Sequence, residues 1–392
     1  MAAPRLVQFE SVSALRDAAA AWDDLWQRSE VALPIGRAEL VAQWIEAAAP
    51  RAGLRALAVE QDGQLVAAMP LLGGTIKRLI RVGRLPTNDW SWAGDLLVDP
   101  SADSDAAMEL LALAVGRLPW RLLWLDGVAI ESPRWMQFVA ALESVGLAID
   151  RREQFRVGTI EIDHDWPAYR ASWSGNHRHQ MRRMENRARR EGSLSLTVLR
   201  DMRREQVEPL LRRGFEVECR GWKGTGGTAV LNSREMLGYY CRLARQLAEW
   251  GQLQLTFLEL DGRPIAFEFG WNAKGVYCSP KVGYDEAFRQ LTPGQLLRHE
   301  LLERFFADPE QRLFDFVGPL AEATLKWITG SYKIGRLAVG TERRGGRAMV
   351  EMLRRYGKWK GGSKFRGGRE PHIEECGDKS NFLASAAGSQ RD

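Results

Sequence analysis

A strand, a short polar loop and a helix start follow one another between residues 284 and 297. Pro293 and Gly294 open the helix, and the first amides of a helix have no partner inside it. Those amides, together with the positive end of the helix dipole, suit a pyrophosphate group, which Gly294 would let approach closely. Arg289 adds a charge for phosphate oxygens. An ordinary helix start with Thr292 as N-cap is the alternative.

The corresponding loop in the first half of the chain, residues 99–105, has a different chemistry. It contains three aspartates and no glycine. Carboxylates at that place would repel a phosphate. The sequence therefore predicts that a phosphorylated ligand binds in the second half.

Two residues mark the neighbouring strands. Asp315 interrupts the apolar run 312–317, and burial there would raise the pKa of its carboxyl towards that of a base. A structural carboxylate paired with Lys326 or with a backbone amide is the alternative. Pro280 lies inside the strand 276–284, where it indicates either an edge strand or a bulge. A bulge would leave an amide near residues 281–283 free to polarise an acyl carbonyl.

Two further segments have a functional and a structural interpretation each. A helix that bears Glu218 runs into a glycine-rich loop with Trp222 and Lys223, which either lines a substrate cleft or only joins two helices. The helix 176–191 carries six arginines around an apolar stripe. Those arginines either bind RNA or an acidic substrate, or form a solvated face.

An internal repeat positions these residues. Residues 54–69 and 253–268 align at a constant offset of 199, which matches Asp62-Gly63 with Asp261-Gly262. Asp-Gly favours the positive φ angles of a tight hairpin. Each half then has the predicted order strand, helix, helix, three-strand meander, helix, strand. This pattern predicts a mixed α/β sheet with helices on its faces.

The composition narrows the function further. Residues 341–392 hold 12 Lys and Arg against 7 Asp and Glu, so the net charge of +5 lies in this segment. The rest of the chain is neutral, which argues against nucleic acid as the partner of the whole protein. The four cysteines form no CxxC pair, and no metal site is predicted. Without a signal peptide or an apolar run of about 18 residues, a cytoplasmic protein without a membrane span is expected.

The order of these segments resembles a known family. The stretches that carry the resemblance are 174–192, 220–224, 249–269, 284–297 and 314–326. They are similar to the CelD-like acetyltransferases linked to bacterial cellulose and exopolysaccharide synthesis. The resemblance covers residues 5–335 and implies two tandem Gcn5-related N-acetyltransferase (GNAT) folds, arranged as in the Fem transferases of peptidoglycan synthesis.

The resemblance implies a site for acetyl-CoA or another acyl-CoA between the strands 276–284 and 312–317. The residues that it assigns to this donor are Lys281, Val282, Gly283, Arg289, Leu291, Thr292, Gly294 and Gln295. The superfamily's pyrophosphate loop is richer in glycine than residues 292–294 are, which leaves the identity of the donor open.

The resemblance also implies direct attack of an amine or hydroxyl on the thioester. Asp315 or Glu218 would be the base, and Tyr284 or Tyr332 would be the acid. Lys326 would orient an acidic acceptor. The residues expected to contact the acceptor are Trp222, Lys223 and Asp285.

The sequence thus predicts an acyltransferase that acts on a sugar, a polysaccharide precursor or a small molecule. Residues 1–162 would form a non-catalytic GNAT-like domain, and residues 163–340 would form the acyl-CoA domain. Residues 341–392 would be a basic flexible tail with a short helix near 349–356. A Fem-like aminoacyl-tRNA-dependent transferase and a non-catalytic module of a polysaccharide synthesis complex are the alternatives.

Overall fold

The computed structural model describes residues 3–76, 79–88, 91, 93–102, 104–221, 224, 226 and 229–364, with backbone only over 356–364. The strands are β1 (Arg5–Phe9), β2 (Ala56–Gln61), β3 (Gln64–Met69), β4 (Leu72–Ile76), β5 (Ile80–Arg84), β6 (Leu97–Val98), β7 (Leu122–Ala129), β8 (Ala148–Glu161), β9 (Leu194–Leu199), β10 (Leu253–Leu260), β11 (Arg263–Ala273), β12 (Val276–Tyr284), β13 (Leu313–Asp315) and β14 (Gly330–Gly340). The helices are α1 (Val12–Asp17), α2 (Ala19–Arg28), α3 (Ala38–Ala48), α4 (Ser104–Gly116), α5 (Pro133–Ser144), α6 (Trp166–Ser172), α7 (Gly175–Glu191), α8 (Arg204–Cys219), α9 (Arg234–Glu249), α10 (Pro293–Ala307), α11 (Glu322–Leu325) and α12 (Gly346–Lys364).

The predicted repeat is present at the level of single turns. Asp62 and Gly63 have φ angles of 49° and 82°, and Asp261 and Gly262 have 49° and 78°. Both hairpins also carry an irregularity in the pairing at matching positions, between Val59 and Glu60 in one and 199 residues later in the other. The two hairpins are therefore copies of one local structure.

The strand order around the hairpins is repeated as well. The strands β1, β2, β3 and β6 pair in that order, and β9, β10, β11 and β12 pair in the same order. In both copies the next elements are a helix and a strand, α4 and β7 or α10 and β13. The fold class is therefore mixed α/β with two tandem copies of one unit, as predicted.

The two copies share one sheet, which the sequence analysis did not foresee. Ten strands pair in the order β4-β5-β7-β14-β8-β13-β12-β11-β10-β9. The strand β14 comes late in the chain, yet it lies between β7 and β8 and pairs antiparallel with both. The strand β8 in turn pairs with β13 of the second copy.

Helices cover the sheets and form the core. Helix α8 lies so close to β11 that a Cβ on Gly214 would come within 2.2 Å of the Phe267 ring. On the other face, α10 buries Leu296, Leu297 and Leu301. Helix α10 is thereby held between the sheet and the helices that precede β9, which fixes the position of its first residue, Pro293.

Strand β12 has the bounds that were predicted, and helix α10 begins at Pro293 as predicted. The strands β4, β5, β8 and β14 were not predicted. Helix α12 begins earlier and ends later than the short helix expected near 349–356. Within the described ranges, no helix has both the length and the apolar character that crossing a membrane requires.

Candidate active site

The strands β12 and β13 pair over only three residues and then separate. Val276 lies opposite Leu313, and the last pair is Cys278 with Asp315. Beyond that point β12 continues to Tyr284 on β11 alone. Pro280 lies here, because a residue without an N–H costs no ladder bond at a free edge. The predicted separation of these two strands is therefore present.

A bulge accompanies the separation. Phe269 pairs with Lys281 and Trp271 pairs with Cys278, so Ser279 and Pro280 together face the single residue Gly270. The bulge interpretation of Pro280 is thus correct, whereas β12 is an interior strand that loses its second strand partner only beyond Cys278.

Asp315 ends β13 at this separation and is 7% exposed. Its Oδ1 accepts a hydrogen bond of 2.7 Å from the amide of Val317, and its Oδ2 accepts one of 2.9 Å from the hydroxyl of Tyr332. Burial raises the pKa of Asp315 to about 6, although both hydrogen bonds act in the opposite direction. A carboxyl group with this pKa can act as a base near neutral pH.

The turn after Asp315 holds the carboxylate in place. Val317 has a φ of 60°, which is unusual for a β-branched residue. The bond from its amide to Asp315 stabilises this conformation, so the turn and the carboxylate fix each other. Lys326 is not the partner of Asp315, and that structural alternative is wrong. A backbone amide, that of Val317, does pair with Asp315, and the role of Asp315 as a base stays a prediction.

Lys326 lies elsewhere. Its carbonyl accepts a hydrogen bond of 3.1 Å from Nδ1 of His177. Its ammonium is half-buried, and burial lowers its pKa. Its predicted role with an acidic acceptor stays a prediction.

Tyr332 reaches Asp315 from β14, the strand inserted between β7 and β8. Burial and the neighbouring carboxylate raise the pKa of Tyr332 well above its usual value. Tyr284, the other candidate acid, lies at the end of β12, and burial also raises its pKa. Of the two tyrosines, only Tyr332 is bonded to the candidate base.

The start of α10 is open but offers few free amides. A Cβ on Gly294 would have no neighbour within 4 Å. Thr292 has a φ of 51°, and its carbonyl accepts bonds from the amides of Gln295 and Leu296. Because Pro293 has no N–H, the amide of Gly294 is the one that stays available in this first turn.

The other residues predicted to bind the acyl donor near the start of α10 differ in their surroundings. Leu291 is buried, and the side chain of Gln295 accepts a bond of 2.8 Å from the indole of Trp327. The Thr292 hydroxyl turns back to the carbonyl of Leu291 and does not cap the helix. Arg289 is 75% exposed, with Glu286 at 3.8 Å as its ion-pair partner.

Glu218 is buried at the end of α8, directly against β12. A Cβ on Gly283 would lie 2.7 Å from the Cα of Glu218, so the glycine permits this close packing. The Glu218 carboxylate accepts a bond of 3.2 Å from the amide of Val230. Lys281 and Val282 are half-buried on the same strand, and the Lys281 ammonium lies 5.6 Å from the centre of the Tyr240 ring.

Asp285 follows β12 and is almost fully buried. Its carboxylate accepts bonds from Arg220 at 2.8 Å and from Arg263 at 2.9 Å, and it caps the 3-10 helix Glu286–Leu291 through the amide of Ala287. These bonds give Asp285 a structural task, and its predicted contact with the acceptor stays a prediction. Trp222 and Lys223 lie outside the described residues.

A large cleft of about 960 Å³ opens beside Asp315 and Tyr332. Its floor is the shared sheet from β5 to β13, with Arg84, Trp124 and Arg336 among the lining residues. Most of its lining belongs to the first half of the chain, which was expected to be non-catalytic. Sequence reasoning missed this cleft because its walls meet only through the pairing of β14 with β7 and β8.

The comparisons with known proteins agree with this fold. The acetyltransferase (GNAT) domain family matches residues 175–327. A crystal structure of FemX is similar over 88% of this chain and 100% of its own, at 12% identity and a TM-score of 0.58. A structure described as the C-terminal domain (DUF2156) of a lysylphosphatidylglycerol synthetase from Agrobacterium fabrum is similar over 86% of this chain and 95% of its own, at 13% identity and a TM-score of 0.50.

No curated protein matches the chain by sequence. At 12 and 13% identity, the two solved structures show the fold alone. The family match covers helix α7, the strands β9 to β13 and the whole of helix α10. Residues 175–327 thus match an acetyltransferase domain of the GNAT type.

Proposed function

We propose that this protein is an acyltransferase that moves an acyl group from acyl-CoA to an amine or hydroxyl of an acceptor bound in the cleft. One observation carries the proposal. A buried carboxyl group, Asp315, lies where β12 and β13 separate, and the same group faces a large cleft together with Tyr332. This arrangement joins a base, two separating strands and room for an acceptor.

The donor side fits an acyl-CoA in two respects. The strands β12 and β13 do not pair beyond Cys278 and Asp315, and their separation gives room for an extended ligand between them. The space above Gly294 lets a phosphate reach the free amide at the positive end of α10. Acyl-CoA would supply a thioester carbonyl where these strands separate.

Asp315 and Tyr332 then move the protons. Asp315 accepts the proton that the acceptor's amine or hydroxyl loses as its nitrogen or oxygen bonds to the acyl carbon. The carbon–sulfur bond breaks, and Tyr332 protonates the departing thiolate. The proton on Asp315 returns to the phenolate of Tyr332 through their 2.9 Å hydrogen bond. Both residues end in their starting states.

The acceptor class follows the resemblance to the CelD-like proteins. A sugar amine or hydroxyl, such as that of a polysaccharide precursor, suits a cleft of this volume. Asp315 is the base in this proposal, since it lies where β12 and β13 separate, bonds to Tyr332 and lines the cleft.

Thiol release tests the proposal. The full chain is incubated with acetyl-CoA and a panel of amino sugars and amines, and free CoA is followed with a thiol reagent. We expect acceptor-dependent release that falls by a factor of about 100 to 10,000 in Asp315→Asn. The absence of acceptor-dependent release with acetyl-CoA and longer acyl-CoAs would contradict the proposal and favour a non-catalytic module.

A second candidate is an aminoacyl-tRNA-dependent transferase of the Fem type, and one observation favours it. Five arginines on α7 are exposed and make no ion pair with any described residue. They are Arg182, Arg183, Arg187, Arg189 and Arg190. A cluster of exposed cations on one helix suits a nucleic-acid backbone.

Gel-shift titration with bulk tRNA tests this candidate. We expect binding that weakens steeply with salt and in the double variant Arg182→Glu, Arg183→Glu. A matched double variant at the exposed but ion-paired Arg204 and Arg212 is the control. Absent or salt-independent binding would rule the candidate out.

A further inference from the structure

The charges in the cleft are paired, with two exceptions. Nine charged side chains line it. Arg134 bonds to Glu30 at 2.6 Å and to Asp95 at 2.7 Å. Arg336 pairs with Asp126, and Lys333 pairs with Glu131, each at 2.6 Å. The two that remain are Asp315, the proposed base, and Arg84.

Arg84 is a half-buried cation without a counter-charge among the described residues. Its guanidinium donates one bond of 3.1 Å, to the carbonyl of Thr87, and its Nε is buried without a partner. A guanidinium has five N–H donors, so most of them are unused. Burying a charge in this way is costly unless an anion compensates it.

The side chain of Arg84 is also held in position. A Cβ on Gly74 would lie 2.7 Å from its Nε, so the side chain lies flat across the glycine of the neighbouring strand β4. The ring of Trp44 lies 6.0 Å from the guanidinium carbon. An arginine fixed in this way loses little entropy when it binds a ligand.

We propose that Arg84 binds an anionic group of the acceptor, a phosphate or a carboxylate, at the end of the cleft away from Asp315. The proposal rests on the proposed function only in identifying the ligand as the acceptor. The contacts of Arg84 support an anion site independently of that function. Four strand-to-strand steps separate β5 from β13, about 19 Å along the sheet. The acceptor is therefore an extended molecule with its anion at one end and its nucleophile at the other.

Direct binding tests the anion site without any need for turnover. Isothermal titration of the full chain compares three probes that share one ring: glucosamine, glucosamine 6-phosphate and 2-amino-2-deoxyglucuronic acid. We expect at least one of the two anionic probes to bind about tenfold or more tightly than glucosamine. The arm that shows the larger gain identifies phosphate or carboxylate as the group that is recognised.

Variants assign the gain to Arg84. We expect Arg84→Gln to reduce the affinity gain of the anionic probes to less than about twofold. Arg84→Lys should keep part of the gain, since the lysine retains the charge but not the planar guanidinium. Arg81→Gln, an exposed arginine on the same strand, is the matched control and should keep the full gain. Thermal melting confirms that each variant is folded, and Arg84→Lys tests the site if Arg84→Gln does not fold.

Two outcomes would overturn the proposal: equal affinity of wild-type protein for all three probes, or a gain that persists in Arg84→Gln. The outcomes are separable from those for the proposed function. A protein that shows the gain but releases no CoA with any acceptor contradicts the transferase and keeps the anion site. A protein that transfers acyl groups but shows no gain in affinity contradicts the anion site and keeps the transferase.

Discussion

At the scale of single residues, the burial of Asp315 suits its proposed role as a base and has a cost for stability. Its carboxyl group is buried and bonded to only two donors, Val317 and Tyr332. Burial outweighs those bonds, so the pKa rises to about 6. A group that the fold keeps in this state is ready to take a proton but opposes folding when it is ionised.

The first prediction concerns Tyr332→Phe. The Tyr332 hydroxyl donates to Asp315 and thereby lowers its pKa, so its removal should raise that pKa further above about 6. We expect the acid limb of the pH profile of kcat/KM to move to higher pH, with a lower plateau because the proposed acid is gone. The measurement is the rate of CoA release from pH 5 to 9.

Tyr284→Phe is the matched control for that profile, since Tyr284 does not bond to Asp315. Its acid limb should coincide with that of the wild type. An unmoved acid limb in Tyr332→Phe would show that the hydrogen bond does not tune the base.

The second prediction concerns stability. The pKa of Asp315 is about 6 in the folded chain and 3.8 is its ordinary value, so the contribution of its protonated form to stability is complete below pH 4. It is lost as the pH rises through 6, and a shift of about two units corresponds to about 3 kcal/mol. Relative to wild type, Asp315→Asn should therefore gain about 2 to 3 kcal/mol in the free energy of unfolding between pH 4 and pH 8.

Urea unfolding at both pH values measures this gain. Glu161→Gln, which changes an exposed carboxylate on the neighbouring strand, should show no comparable difference. A constant difference between Asp315→Asn and wild type across the pH range would mean that the carboxyl group titrates normally.

At the scale of elements, two glycines of the proposed donor site differ in the space around them. A Cβ on Gly283 would collide with α8 at 2.7 Å, whereas a Cβ on Gly294 would meet nothing. We therefore expect Gly283→Ala to lower the melting temperature. Gly294→Trp should fold normally but bind acyl-CoA at least about tenfold more weakly, because the ring fills the space above the free amide.

Thermal melting and titration with CoA separate the two effects. Unchanged CoA affinity in Gly294→Trp, with acyl transfer intact, would place the pyrophosphate elsewhere.

Lys274 joins the β11–β12 turn to the end of α2. Its ammonium donates to the carbonyls of Trp26, Ser29 and Val31, at 2.9 Å for the last two. A cation at the carboxyl end of a helix also interacts favourably with the negative end of the helix dipole. We expect Lys274→Met to lower the free energy of unfolding by about 2 to 4 kcal/mol, because three buried carbonyls lose a charged donor.

Lys333→Met is the control, since it removes a solvent-screened ion pair with Glu131 and should cost clearly less stability than Lys274→Met. Chemical unfolding of both variants makes the comparison. Equal losses would mean that Lys274 does not fasten the turn to α2.

At the scale of the whole molecule, the strand β14 makes the two copies depend on each other. It pairs with β7 over Leu122–Ala129 and with β8 over most of its length, so both neighbours belong to the first half. The predicted division at residues 162 and 163 would leave β14 with two open edges. Such edges favour aggregation.

We therefore expect neither fragment 1–162 nor fragment 163–340 to show a cooperative thermal transition by circular dichroism. Fragment 1–351 is the control and should melt like the full chain, since the compact unit ends at Glu351. A cooperative transition of fragment 163–340 alone would show that the second copy folds independently.

The sequence by itself determined the features that depend on residues close together in the chain. The Asp-Gly turns, the start of α10 and the bounds of β12 depend on backbone preferences and periodicity within a few residues. The tertiary structure decided the rest. Asp315 meets Tyr332, and Arg84 faces the same cleft, because β14 pairs with strands about 200 residues earlier in the chain. Pairing over that separation depends on the packing of whole sheets, which no local pattern records.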